Sequence, residues 1–158
     1  MEIILKNVGN TGHKIIDYAG ILRAVKADYE SGYSQAIERL VRSDLFEDFL
    51  GMADELLDKG YKDPAAVVAG STLEEHIRKL ANNANIATLD AKSKKRKFDS
   101  LATDLVKVGI FSESQRKILV GWYGIRSEAA HGNYENVVAT DVKHMIQGIR
   151  EFMVRIPQ

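Results

Sequence analysis

The sequence predicts an all-α protein, an antiparallel bundle of about five to six helices, and three observations predict it. Apolar residues recur at three-and-four spacing through most of the chain. Only two prolines occur, Pro64 and Pro157, and neither interrupts a long periodic stretch, where an interior proline costs about 3 kcal/mol. No segment alternates apolar and polar residues over a strand's length between turn signals.

The elements follow in order. A first helix is expected after Thr11, with Ile15, Ile16, Ala19, Leu22, Ala24 and Val25 on one face, fading at Ser31-Gly32. A second is expected from near Ser34 to Gly60, carrying Ile37, Leu40, Val41, Leu45, Phe49, Met52, Ala53, Leu56 and Leu57. Gly60 is its stop, because glycine accepts the left-handed conformation that ends helices. Asp63-Pro64 reads as a restart, with Asp63 as N-cap and proline in the first turn. The third helix then carries Val67, Val68, Leu73, Ile77 and Leu80 to about Ala81, ending in Asn82-Asn83-Ala84-Asn85. A polar loop follows with Lys92, Lys94, Lys95, Arg96 and Lys97 close together. The fourth helix holds Phe98, Leu101, Leu105 and Val108, and Gly109 closes it. Ser112 and Gln115 form a capping-box pattern for the fifth, which carries Ile118, Leu119, Trp122, Tyr123 and Ile125 and breaks at Gly132-Asn133. The last begins near Val138 or Thr140 and buries Val142, Met145, Ile146, Ile149, Phe152 and Met153.

The length of 158 residues fits one domain over 1–158, with 1–32 as an N-terminal helical extension and 33–158 as the core bundle. Cysteine is absent, which excludes disulfides, thiolate zinc sites and cysteine nucleophiles and suits a reducing cytoplasm. Lys+Arg and Asp+Glu are equal at 22 each, so a strongly basic nucleic-acid binder is not indicated. No apolar run approaches the roughly 18 residues of a membrane span, and the N-terminus does not read as a signal peptide. The expectation is a cytoplasmic protein without membrane contact and without cofactor. Gly-rich phosphate loops and nucleophile constellations are missing, which leaves a small-molecule enzyme with little support.

The segment richest in chemistry is Arg126-Ser-Glu-Ala-Ala-His131-Gly132. Arginine grips phosphate with a planar, permanently charged fork, and histidine moves a proton near neutral pH. Together they can hold a phosphodiester and assist attack by the neighbouring ribose 2′-hydroxyl, with no metal required. On a regular helix the two residues lie about 140° and roughly 7.5 Å apart. They converge only if the last turn unwinds at Gly132 or if two helix ends meet in a symmetric dimer.

This segment resembles the Arg-polar-x-x-x-His signature of HEPN domains. Leu45-Phe-Glu-Asp-Phe-Leu-Gly-Met-Ala-Asp-Glu-Leu-Leu, Gly60-Tyr-Lys-Asp-Pro-Ala-Ala and Ala69-Gly-Ser-Thr-Leu-Glu-Glu-His-Ile-Arg-Lys-Leu look like the helices that precede that motif. They are similar to bacterial HEPN-like proteins of the abortive-infection C-terminal type, over about Asp44 to Phe152. The resemblance implies a helical bundle that forms a homodimer, with Arg and His of both protomers lining a cleft at the interface. It implies metal-independent RNA cleavage, often in phage defence or a toxin–antitoxin system with an antitoxin or other protein partner. Carried over, Arg126 is the phosphate clamp and His131 the proton-handling group. Ser127 takes the polar position, commonly Asn in active members; serine is shorter and offers no amide. Ser127 and Asn133, with Lys94, Lys95 and Arg96 of the basic run, are the expected RNA contacts.

Each feature also has a plainer reading. Arg126 reads equally as half of an ion pair, and His131 as a cation at a helix C-terminus. Glu128 either orients one of them or is a solvated helix residue. The run Lys92 to Lys97 reads as a soluble loop before a helix. Trp122 and Tyr123 favour core or dimer packing over base stacking. Glu74-Glu75-His76 makes a poor metal set, since adjacent helix residues point about 100° apart, and His13 and His144 are isolated. Asp44, Glu47, Asp48, Asp54, Glu55 and Asp58 read as the wet face of their helix. A non-catalytic helical dimer that binds protein or RNA is therefore the rival to the nuclease.

Overall fold

The structure is a computed structural model that describes residues 45–158. These residues belong to one compact unit, Ser43–Gln158. The division read at residues 32 and 33 lies outside the described residues. The helix expected after Thr11, the start expected near Ser34, and His13 and Asp44 lie outside the described residues.

Among the described residues there are five helices and no strand, an all-α bundle. Helix α1 covers 45–58, α2 Lys62–Asn83, α3 Phe98–Lys107, α4 Glu113–Ala130 and α5 Ala139–Arg155, with a 3₁₀ turn at Tyr134–Asn136. Four of these helices end alike. A residue with positive φ (Gly60, Asn85, Gly109 or Gly132) follows the last turn, and the next residue's amide reaches back to the carbonyl five residues earlier, as from Tyr61 to Leu56 at 2.8 Å and from Ile86 to Ala81 at 2.8 Å. These bonds satisfy carbonyls that the helix end would otherwise leave open. The predicted capping box opens α4. Ser112 Oγ accepts from the Gln115 amide at 3.2 Å, and Gln115 Oε1 accepts from the Ser112 amide at 2.8 Å.

The start of α2 differs from the sequence reading. Tyr61 is the N-cap, and Asp63 sits inside the first turn with no capping bond. Its charge still suits the positive helix end, and Pro64 still falls where a missing amide costs no helical bond. The basic segment is a tight hairpin rather than an open loop. Leu89 and Lys95 form an antiparallel bridge, and Asp90 Oδ1 accepts from the amides of Lys92 and Lys94 at 2.8 and 2.9 Å. Asparagine and aspartate commonly close turns in this way.

Helix α2 is the axis of the bundle and packs against α3, α4 and α5. Its small residues Ala65, Ala66, Ala69 and Gly70 are buried, as are Leu73, Ile77, Leu80 and Ala81. Small side chains let neighbouring backbones approach, while the longer ones fill the remaining space. Leu50 and Ala53 of α1, Phe98, Leu101, Ala102 and Leu105 of α3, Leu119 and Ala129 of α4, and Val142, Met145, Ile146, Ile149 and Phe152 of α5 complete the core. Met153 is only half-buried, and Val108 and Ile118 are exposed, because α3 has ended and that side of α4 faces outward. Two of the acids read as a wet face have a partner: Arg150 of α5 donates to Glu47 at 2.8 Å and to Asp54 at 2.9 Å.

His76 lies in this core rather than at a metal site. Its ring is 2 % exposed, edge-on to Phe46 and Phe152. Nε2 is 2.9 Å from the Ile156 carbonyl and Nδ1 is 2.6 Å from Gln158 Nε2. A neutral ring with its proton on Nε2 satisfies both contacts, donating to the carbonyl and accepting from the amide. Burial pushes its pKa down from 6.5 to about 4, against the carbonyl bond, which acts in the opposite sense; nearby Lys79 lowers it further.

The unfolded chain therefore binds a proton at His76 before the folded chain does. The stabilisation is complete above pH 6.5 and erodes as pH falls towards about 4. The expected total is about 3 kcal/mol. Urea denaturation between pH 7 and 5 should show this slope in the wild type. His76→Leu should be less stable at pH 7 but flatter, since the titrating group is gone; an equal slope in both would place the pH dependence elsewhere.

Candidate functional site

The last turns of α4 carry the candidate site, and their geometry is set from both ends. Gly132, at φ +83°, ends the helix, with its amide 3.4 Å from the Ala129 carbonyl and the Asn133 amide 3.1 Å from the Glu128 carbonyl. A side chain at this φ would be strained. The helix stays regular through Ala130, and His131 is its C-cap. The last turn therefore does not unwind to bring Arg126 and His131 together. Within one chain they keep the helical divergence of about 140°, and no hydrogen bond or ion pair joins them among the described residues.

His131 is exposed. Its Nδ1 is 2.7 Å from the Ser127 carbonyl and 3.4 Å from Ser127 Oγ. A carbonyl can only accept, so Nδ1 carries a proton. In the neutral ring the lone pair is then on Nε2, the nitrogen not held by the helix. Ser127 thus fixes the ring of His131 through its backbone, a role open to any residue at that position.

Glu128 holds the connector that follows. Its Oε2 accepts from Asn133 Nδ2 at 3.0 Å and from Asn136 Nδ2 at 2.9 Å. These two bonds, Asn136 first, lower the Glu128 carboxyl below its usual range, and nearby His131, in its charged form, acts in the same sense. From the other side Lys62 Nζ donates to the carbonyls of Tyr134 and Val137 at 2.6 and 2.5 Å. The Asn133 amide group is accordingly turned to Glu128.

Arg126 faces α2. Its Cβ and Cγ fill the space beside Gly70, where an added Cβ would lie 2.3 and 2.5 Å from them. Its guanidinium lies 5.4 Å from the centre of the Tyr123 ring, which stacks on Phe98 at 4.4 Å with 4° between planes. Nη2 of Arg126 is 3.8 Å from Glu74 Oε2, with the side chain 25 % exposed. Glu74 is shared. Its Oε1 accepts from Arg78 Nη2 at 2.8 Å and Nε at 3.2 Å, and Oε2 is 3.4 Å from the Tyr123 hydroxyl. Burial, and then the charge of Glu74, raise the Tyr123 phenol above its ordinary pKa.

The basic hairpin joins this cluster. Arg78 Nη2 also donates to the Arg96 carbonyl at 3.0 Å. Lys94 and Lys95 are exposed on the hairpin. Arg96 is tied down: Nη1 donates to the Ala87 carbonyl at 2.9 Å, and Nη2 to Ser100 Oγ at 2.7 Å and Asp104 Oδ2 at 2.6 Å. Its terminal nitrogens clamp the hairpin to α3. Trp122 packs its ring edge at Gly148 of α5, so both aromatic residues before Arg126 are packing groups.

Glu74, Arg78 and Gly70 are members of the site that the sequence reading did not place there. The i, i+4 spacing of Glu74 and Arg78 was the available signal for their pairing; nothing local pointed Glu74 at Arg126. Among the described residues no group of three or more His, Asp or Glu side chains is placed to hold a metal ion, and no helix is long and apolar enough to cross a membrane. Comparison with protein-family models, curated proteins and solved structures gives no match.

Two glycine substitutions should move stability in opposite directions. Gly70→Ala forces a methyl against Arg126 and should cost about 1–3 kcal/mol. Gly51→Ala in α1, where the added Cβ meets nothing within 4 Å, should gain about 0.4–1 kcal/mol from the lower entropy of the unfolded chain. Guanidinium denaturation of the two variants beside the wild type reads both, and a neutral Gly70→Ala would contradict the close approach.

Proposed function

We propose that the protein is a homodimeric, metal-independent endoribonuclease, in which Arg126 holds the scissile phosphate and His131 moves the proton. The observation that carries this reading is the state of His131: exposed, with Nδ1 fixed on the Ser127 carbonyl and Nε2 without a partner among the described residues. A positioned imidazole with one free nitrogen is the usual form of a general acid or base. The resemblance of Arg126–Gly132 to the HEPN signature supplies the substrate class. A dimer is part of the proposal because the two side chains of one helix point apart, so a site using both draws on two copies. RNA backbone would approach along the exposed Lys94 and Lys95, whose charge attracts phosphate without reading sequence. A role in phage defence or a toxin–antitoxin pair, with a protein partner, belongs to the same proposal.

One observation favours the non-catalytic reading. Arg126 is turned to Glu74 rather than into open solvent, as a packing or binding arginine would be.

The test is cleavage of end-labelled tRNA in excess EDTA. The wild type should give cyclic-phosphate ends, and His131→Ala and Arg126→Ala, each folded by circular dichroism, should lose at least about a hundredfold in rate. Equal inertness of all three across several RNAs would sink the nuclease and leave a binding module. Sedimentation velocity completes the test, because a strict monomer that cleaves RNA would remove the composite site.

A further inference from the structure

The charges around Glu74 do not balance. One carboxylate faces two guanidinium groups, Arg78 through Oε1 and Arg126 through Oε2. Among the described residues neither arginine pairs with a second acid; the other acceptor of Arg78 is the neutral Arg96 carbonyl. Both guanidinium groups also keep a buried nitrogen without an acceptor among the described residues, Nη1 of Arg78 and Nε of Arg126. Orphaned donors of this kind are rare, and each costs desolvation that a ligand oxygen would offset.

We propose that this cluster is a binding site for one phosphate group of a nucleic-acid strand, with Glu74 an internal competitor that the phosphate displaces from Arg126. The two contacts of Glu74 are unequal, and the inequality sets the direction. Arg78 holds it by two hydrogen bonds, whereas Arg126 lies 3.8 Å away, beyond hydrogen-bond reach. Arg126 is therefore the partner that lets go. A phosphate offers it the paired oxygens that a planar fork fits, and the surplus positive charge of the cluster favours an anion. Glu74 stays on Arg78 and is a positioning residue, one that weakens the strand's hold. The hairpin bearing Lys94 and Lys95 is tied to the same cluster through the Arg96 carbonyl, so the strand's neighbouring phosphates meet exposed cations.

This rests on the reading of Arg126 as a phosphate contact, and the experiment separates the two. Fluorescence polarisation of a short labelled oligodeoxynucleotide at low ionic strength reads binding alone, since DNA has no 2′-hydroxyl to attack. Glu74→Gln should tighten binding at least about fivefold, and Arg126→Ala should weaken it by at least as much. Glu75→Gln is the control: it removes the same charge one residue away, where the carboxylate pairs with Lys79 at 3.8 Å, and should change affinity less than about twofold. Structural damage does not tighten binding, so the gain is specific to the competitor. Glu74→Asp, which keeps the charge but draws it back from Arg126, should also tighten binding, and it carries the test if the Gln variant does not fold. Unlabelled strand should displace the probe at far lower concentration than inorganic phosphate; equal potency would overturn the strand as ligand. A Glu74→Gln affinity no greater than that of Glu75→Gln overturns the proposal, even in a protein that cleaves RNA. A tightened variant of a protein that cuts nothing upholds it while the nuclease falls.

Discussion

Beside Gly70 the space a side chain would fill belongs to the methylenes of Arg126. This close approach of α4 to α2 sets the depth of everything on α4. With a larger residue at position 70 the helices would separate or tilt, because a packed core has little free volume to absorb even one methyl. Arg126 would then lose its place against Tyr123, and Tyr123 its stack on Phe98. The Glu74 cluster exists because two helices meet at this distance, and the hairpin is tied to it through Arg78.

That cluster is poorly arranged for stability alone. Partly buried cations are costly unless matched by anions and saturated with hydrogen bonds. Here, among the described residues, two arginines share one glutamate, and each keeps an unsatisfied nitrogen. Arg116 shows the contrast: one guanidinium pairs with two acids, Glu113 and Asp99. Local departures from the rule that buried polar groups find partners concentrate where a protein meets a ligand. The Glu74 cluster departs from that rule, and the better-paired charges of Arg116 do not.

Periodicity and capping chemistry made most of the fold legible. The Ser112–Gln115 box, the glycine stops and the apolar stripe of α5 each act within a few residues, so a linear sequence displays them. Asp63 was misplaced by two positions, from the N-cap into the first turn, the size of displacement to which helix starts are prone. The site was legible in part. Arg126 and His131 stood out as residue types, but their divergence follows from a helix end that closes regularly at Gly132. The anchoring of Arg96, the inward turn of the Asn133 amide and the pull of Glu74 on Arg126 depend on contacts between elements, which spacing alone does not encode.

His76 and His131 show how far environment decides what one side chain can do. Both present a ring nitrogen to a backbone carbonyl, at 2.9 and 2.7 Å. In His76 the second nitrogen also has a partner and aromatic rings exclude water, so the ring is a fixed neutral strut. In His131, on an exposed helix end, the second nitrogen has no partner among the described residues, while Glu128 grips Asn133 and Asn136 and Lys62 grips the connector beyond them. Those bonds form on folding, so under the proposed function a substrate meeting His131 need not supply that order on binding. The conformational entropy lost in fixing the connector is offset by bonds within the protein, and the Nδ1 bond to the Ser127 carbonyl positions the His131 ring before any ligand arrives.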